Sequence, residues 1–185
     1  MNGDDVYWGK YRGTVVNNVD PLRKGRLIVE VPDVLSLIPS TWAEPCVPLA
    51  GPTGPPMGVY MVPPIGAGVW VEFEYGDPNK PIWVGCRWGG PSDVPLAAQG
   101  GNPVSPSIVI QTVLQNAIVI SDLPPIVAPP VMPPIPTTGG VILRSTTGAA
   151  IVVNDAGVFI TNGKGATIDL IGPSVMINKV ALMVT

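Results

Sequence analysis

The sequence predicts an all-β protein in two parts: an N-terminal β-barrel of the OB kind, followed by a C-terminal intertwined trimeric β-prism built on octad repeats. Three observations carry this. Short alternating strands crowd the first half and are joined by Asp-Pro and Gly turns. No helical periodicity separates them. From Ala150 onward the chain falls into blocks of eight: AIVVNDAG, VFITNGKG, ATIDLIGP, SVMINKVA and a final LMVT.

In residues 1 to 98, the strand candidates are YRGTVVNN (11 to 18), GRLIVEV (25 to 31), EPCVPLA (44 to 50), GVWVEFEY (68 to 75) and PIWVGCRW (81 to 88). GVWVEFEY sets Val69, Val71 and Phe73 against Trp70, Glu72 and Glu74, the period of a strand with one face in a core. VDPLRKG and GDPNKP supply turn chemistry between strands. Five short strands in about 90 residues suit a small OB-type barrel. Residues 45 to 66, rich in Pro and Gly, read as a long ordered loop across a barrel face.

Residues 99 to 138 change composition. Two apolar stretches, SIVIQTVL and NAIVIS, lead into LPPIVAPPVMPPIP, whose prolines cannot sit in a central strand. The expectation is an extended, polyproline-like connector that spaces two units without a core of its own.

Residues 139 to 185 carry the repeat. The third octad position is apolar every time: Leu143 (one block earlier), Val152, Ile160, Ile168, Met176 and Val184. These six are the expected axial core, while Ile151, Phe159 and Val175 are expected to face outward. Asn154, Asn162 and Asn178 recur at the fifth position, and Gly148, Gly157 and Gly165 close blocks where a turn falls. One chain of such strands is marginal alone. Three chains about a threefold axis bury it, with strand edges completed by neighbouring chains.

Composition excludes several functions. There is no histidine, which removes Ser-His-Asp and Cys-His catalysis and His-ligated zinc. The net charge is −3, with basic residues scattered, so nucleic acid is not the partner. Glu72 and Glu74 only loosely resemble a glycosidase carboxylate pair and read as a solvated strand face. No enzyme activity, metal or cofactor is expected. Cys46 and Cys86 form no CxxC pair and are expected to be buried or half-buried thiols. The start, MNGDDVYWGK, has no apolar signal region, and no apolar run reaches membrane-helix length, so folding in a bacterial cytosol is expected.

The first half resembles the OB-fold domain of the phage baseplate assembly protein V group and the related valine-glycine-repeat spike proteins of type VI secretion. The residues that carry the likeness are Gly13, Val15, Asp20-Pro21, Gly25-Arg26, Val29, Val31, Pro32 and Trp42. They continue through Pro63, Gly66, Val69, Val71 and Phe73 to Gly76-Asp77-Pro78, Pro81 and Gly85. LRSTTGAAIVVNDAGVFITNGKGATIDLIG resembles the prism that follows the barrel in these proteins. The resemblance implies a homotrimeric central spike that sits beneath a baseplate hub and tail tube and mechanically pierces the target membrane when the sheath contracts. It would be part of a virion tail or injection particle, delivered to the target cell envelope.

Two departures from the family matter. The His-x-His pair that holds iron at some spike tips is missing, and there is no room for a lysozyme-like insert. Because the chain ends LMVT, a separate tip protein of the PAAR-repeat type is expected on Leu182, Met183, Val184 and Thr185. A trimeric tail fibre or receptor-binding adhesin is the alternative; its variable aromatic tip is not seen, since the aromatics cluster in the first half.

Overall fold

A computed structural model describes residues 6–51, 54–100, 103–126, 138–179 and 181–184. The chain divides into two compact units, Met1–Gly89 and Gly90–Thr185.

In the first unit, β1 (Tyr11–Asn17), β2 (Ile28–Glu30), β3 (Glu44–Pro45), β6 (Gly68–Phe73) and β7 (Pro81–Arg87) make one sheet in the order β2-β1-β6-β7-β3. Its ends meet where Leu27 and Ala43 exchange backbone hydrogen bonds of 3.1 and 2.7 Å, so the sheet closes into a five-stranded barrel. The alternation of β6 is as expected: Val69, Val71 and Phe73 are buried with Val15, Leu27, Val29, Val31 and Trp83. Gly13 lets β1 cross this core closely, because a Cβ there would lie 2.9 Å from Val71 Cγ2 and 3.3 Å from the Glu30 carbonyl.

The structure adds elements that periodicity did not reveal. A four-residue helix, α1 (Pro32–Leu35), follows β2 and buries Val34 and Leu35. The Pro- and Gly-rich stretch holds a short hairpin of β4 (Ala50–Gly51) and β5 (Met57–Gly58). Both cysteines are exposed, which corrects the expectation of buried thiols: Cys46 falls just past the end of the very short β3, and Cys86 is near the end of β7. The sulfur of Cys86 is still partly desolvated, which pushes its thiol pKa up.

In the second unit a 3-10 turn at Pro91–Asp93 is followed by a short helix, α2 (Leu96–Gln99). Eight strands follow: β8 (Ile108–Gln111), β9 (Ala117–Ser121), β10 (Gly140–Arg144), β11 (Ala150–Asn154), β12 (Gly157–Thr161), β13 (Thr167–Ile171), β14 (Ser174–Ile177) and β15 (Leu182–Val184). They form one antiparallel meander, each strand bonded to its neighbours in sequence.

Two expectations change here. Residues 99 to 138 are not only a spacer, because β8 and β9 lie inside them and belong to the sheet; the unit boundary falls at Gly89–Gly90 and not at 98. Prolines 129, 130, 133, 134 and 136 lie outside the described residues. Within the chain, β9 to β14 each have both edges paired, and β8 and β15 are the outer strands of the sheet.

The recurrent asparagines are explained by the corners. Five-residue turns close where Thr112, Ser145 and Asn162 donate backbone N–H to the carbonyls of Asn116, Ala149 and Ala166. Asn162 Oδ1 accepts from the N–H groups of Lys164 and Ala166 at 2.8 and 3.1 Å. Asn178 Oδ1 accepts from the Thr167 N–H at 3.0 Å, and Asn154 Oδ1 from the Ala156 N–H at 2.9 Å. Each Asn replaces a backbone acceptor that the turn lacks.

Candidate functional site

Strand register sorts the eight-stranded sheet into two very different faces. Directly opposed residues share a face, so the pairings trace rows across the whole sheet. One row runs Ile110, Ile118, Leu143, Ile151, Ile160, Ile168, Ile177 and Leu182. Two residues along each strand, a second runs Ile108, Ile120, Val141, Val153, Val158, Leu170, Val175 and Val184. Every position in both rows is Ile, Leu or Val.

This face is open to solvent. Ile108 is 61% exposed, Leu143 42%, Ile160 38% and Leu182 54%. At its β8–β12 end lies an open hollow of about 570 Å³ lined by Ile110, Ile118, Leu143, Ile151 and Ile160 among others. Soluble monomers seldom leave so long an aliphatic surface bare, because each exposed square ångström forgoes hydrophobic stabilisation.

The opposite face is covered over much of its length. Ala117, Val119, Ile142, Val152 and Phe159 are buried there with Ala97 of α2, and Val109 packs against them. Small and polar residues flank this row, among them Ser121, Gly140, Thr161 and Thr167, so this side completes its own small core.

The six residues expected on one axis therefore divide. Leu143, Ile160, Ile168 and Val184 belong to the aliphatic rows, but Val152 and Met176 lie on the other face, opposite Ile142 and Asp169 respectively. Ile151 and Val175, expected to point outward, join the aliphatic face; Phe159 is on the covered one. The reason is turn length. The two-residue turn at 155–156 pairs Asn154 with Gly157, an odd separation, whereas the five-residue corner pairs Thr161 with Thr167, an even one. A fixed count of eight changes face at one kind of turn and keeps it at the other. Ile108, Ile110, Ile118 and Ile120 were missed as site residues because they lie in the stretch read as connector, although their own alternation was the signal.

The rows end at β15, where Leu182 is exposed and Val184 takes the terminal register position; Met183 is the backbone position opposite Met176, and Thr185 lies outside the described residues.

In the barrel, the Asp20 to Arg26 motif forms a tight knot. Asp20 Oδ1 accepts from Arg26 Nη2 at 2.6 Å, Arg26 Nε at 3.1 Å and the Leu22 N–H at 2.9 Å, while Oδ2 accepts from the Lys24 N–H at 2.7 Å. The Arg26 guanidinium and these donors hold the Asp20 carboxyl well below the usual carboxylate range. Arg26 also stacks over Trp42 with 5.3 Å to the ring centre. Pro21 starts the turn, and Gly25, at φ 81°, offers its carbonyl to Trp83 Nε1 at 3.0 Å. At the β6–β7 turn, Gly76 has φ 76° and accepts the Tyr7 N–H, and Asp77 Oδ1 accepts the Asn79 N–H ahead of which Pro78 sits. These residues build the loops that join the barrel strands.

Glu72 is taken by Lys10, whose Nζ donates to it at 2.6 Å, and Glu74 has left the strand for a 3-10 turn. Among the described residues no group of three or more His, Cys, Asp or Glu could hold a metal, and no helix is long and apolar enough to cross a membrane.

A closed barrel followed by a sheet with one bare aliphatic face is the form of a structural assembly protein, and comparison with known families agrees. Residues 11–88 match the type VI secretion system/phage-baseplate injector OB domain, and residues 107–183 match the phage baseplate V C-terminal trimerisation domain. No curated protein matches the chain. The two matches together span most of the chain in this order, and the chain belongs to the phage baseplate V family, a structural component of baseplate or type VI injector assemblies.

Proposed function

We propose that three copies of this chain form the central spike of a contractile injection machine, each β8–β15 sheet supplying one wall of a three-sided prism with its aliphatic rows turned to the axis. The observation that carries this reading is the unbroken pair of aliphatic rows on a sheet matched to a trimerisation domain. Leu143, Ile160, Ile168 and Val184 keep their axial role, and Val152 and Met176 give way to Ile151 and Ile177. At roughly 4.8 Å between strands the wall is about 34 Å long. Each protomer offers on the order of 1,000 Å² of aliphatic surface, equivalent to about 25 kcal/mol of burial before association entropy is subtracted.

In this reading the barrels cap the hub and tube, and the prism transmits the thrust of sheath contraction to the target membrane mechanically. The open row ends at Leu182 and Val184 receive a tip protein of the PAAR type, with Met183 and Thr185 contributing to that contact. No catalysis, cofactor or nucleic acid enters the mechanism.

The test has two parts. Light scattering of the full chain is expected to give three times its 19.3 kDa mass. Particles carrying the protein truncated after Gly90 are expected to lose permeabilisation of target envelopes; particles that still puncture normally would remove the piercing role.

A further inference from the structure

We propose that the two turn edges of the β8–β15 sheet are oppositely charged clasps that meet at the prism corners, Lys164 of one chain against Asp155 of the next, and that these contacts fix the direction in which each chain enters the trimer. This rests on the spike reading above. Consecutive strands are antiparallel, so successive turns alternate between the two edges of the sheet. The corners at 112–116, 145–149 and 162–166, and the turn begun by Asn178 and Lys179, lie on one edge. The turns at 155–156 and 172–173, and the connection that follows Ser121, lie on the other.

Between Ile108 and Val184 the sequence holds six charged residues. Arg144, which ends β10, Lys164 and Lys179 belong to the first edge, and Asp122 and Asp155 to the second. The sixth, Asp169, sits at the centre of β13 opposite Phe159 and Met176, on the face away from the aliphatic rows and at neither edge. Every base is therefore on one edge, and both edge acids are on the other.

Lys164 and Asp155 stand on turns whose shape the asparagines hold. Asn162 Oδ1 accepts the Lys164 N–H at 2.8 Å, and Asn154 Oδ1 accepts the Ala156 N–H at 2.9 Å. Both residues are exposed, and among the described residues neither has an ion-pair partner in its own chain. Asp122 already accepts from Ser105 Oγ, which leaves Asp155 as the uncommitted acid of its edge. Lys164 and Asp155 cannot meet within one chain, because they flank β12 at opposite ends, about 17 Å apart across its extended length.

Three walls about a threefold axis bring the first edge of each chain against the second edge of its neighbour at every corner. Because the turns alternate, those of one edge fall between those of the other. Lys164 then comes within one strand spacing, about 4.8 Å, of the neighbour's acidic turn, a gap that a lysine side chain spans. A chain inserted upside down sets bases against bases at one corner and acids against acids at another. The aliphatic rows do not discriminate in this way, since every position in them is Ile, Leu or Val and an inverted wall presents much the same surface. An exposed ion pair adds little affinity, so the edges supply direction while the aliphatic face supplies the binding energy.

The experiment treats the full-length trimer at low salt with a water-soluble carbodiimide, which joins a carboxylate to an amine only where the two are in contact. The expected product is an amide between Asp155 and Lys164, found by mass spectrometry in the crosslinked species and lost in Asp155→Asn. With the two residues a full strand apart in one chain, that link reports contact between chains. A trimer that gives no such link, or that links Lys164 only to another carboxylate, overturns the proposal and leaves the spike reading standing. In parallel, Lys164→Asp and Asp155→Lys are each expected to raise the trimer dissociation constant about tenfold at low salt, through three corners at once. Combined, they are expected to restore it to within about threefold of wild type. A double variant no tighter than the single ones also overturns the pairing. A wild-type protein that is not trimeric removes the spike reading itself, and this proposal with it.

Discussion

Ile160 lies near the middle of the first aliphatic row, between Ile151 and Ile168, and is 38% exposed in the single chain. That fraction corresponds to roughly 70 Å² of side chain left for a partner to cover, or about 1.7 kcal/mol at 25 cal/mol per Å². Ile160→Ala forfeits most of this in each of three protomers, about 5 kcal/mol per trimer, so the trimer dissociation constant is expected to weaken by three to four orders of magnitude. Ile160→Asp, which crowds three carboxylates onto a dry axis, is expected to abolish the trimer at any accessible concentration. Sedimentation velocity across a dilution series measures both. Val152→Ala is the control, because Val152 is 4% exposed on the opposite face. It should lower the melting temperature of the sheet by the equivalent of about 2 kcal/mol without the same effect on dissociation. If Ile160→Asp remains trimeric at low micromolar concentration, or Val152→Ala dissociates as readily as Ile160→Ala, the assignment of the axial face is wrong.

All five tryptophans lie in the first unit, so their fluorescence reports its unfolding inside the full-length protein. Asp20→Asn is expected to destabilise this unit at neutral pH. Because the folded carboxyl titrates below its unfolded value of about 3.9, the stabilisation is complete above that pH and fades as pH falls through the folded value; the gap between wild type and Asp20→Asn in urea titrations should therefore narrow progressively below about pH 4. Trp83→Phe removes the hydrogen bond to the Gly25 carbonyl and is expected to cost about 1 to 2 kcal/mol, read from the shift in urea midpoint. Gly13→Ala drives a methyl against Val71 and Val69 and is expected to cost about 1 to 3 kcal/mol by the same assay.

How much of this was legible in the sequence depended on whether the pattern was local. The β6 alternation and the Asp-Pro turns report strand and corner directly, and they placed the barrel correctly. Ser36 and Tyr75 carried no such signal, since a left-handed Ser or Tyr is imposed by its surroundings and not by its own preference. The octads were visible as a period, yet which face each residue took depended on pairing across turns of unequal length. Asn154 with Gly157 and Thr161 with Thr167 decide that, and a count along one chain does not contain it. The prolines after Asp122 dominated the composition and hid β8 and β9, whose alternation is as clear as that of β6. Cys46 and Cys86 were misplaced because thiols are usually interior, and a short β3 left the first without a roof.

The meander has a kinetic consequence. Because β8 through β15 each pair with the strand next in sequence, most of the sheet forms from near-neighbour contacts, with one longer closure between β9 and β10. In the trimer proposed above, three chains can then complete their walls separately and meet side chain to side chain. Until they meet, each carries a ribbon of bare aliphatics, the kind of surface that aggregates. In the proposed trimer, encounter with sister chains covers that ribbon, and a host in which the chains are too sparse to meet should yield inclusion bodies where one that brings them together yields trimers.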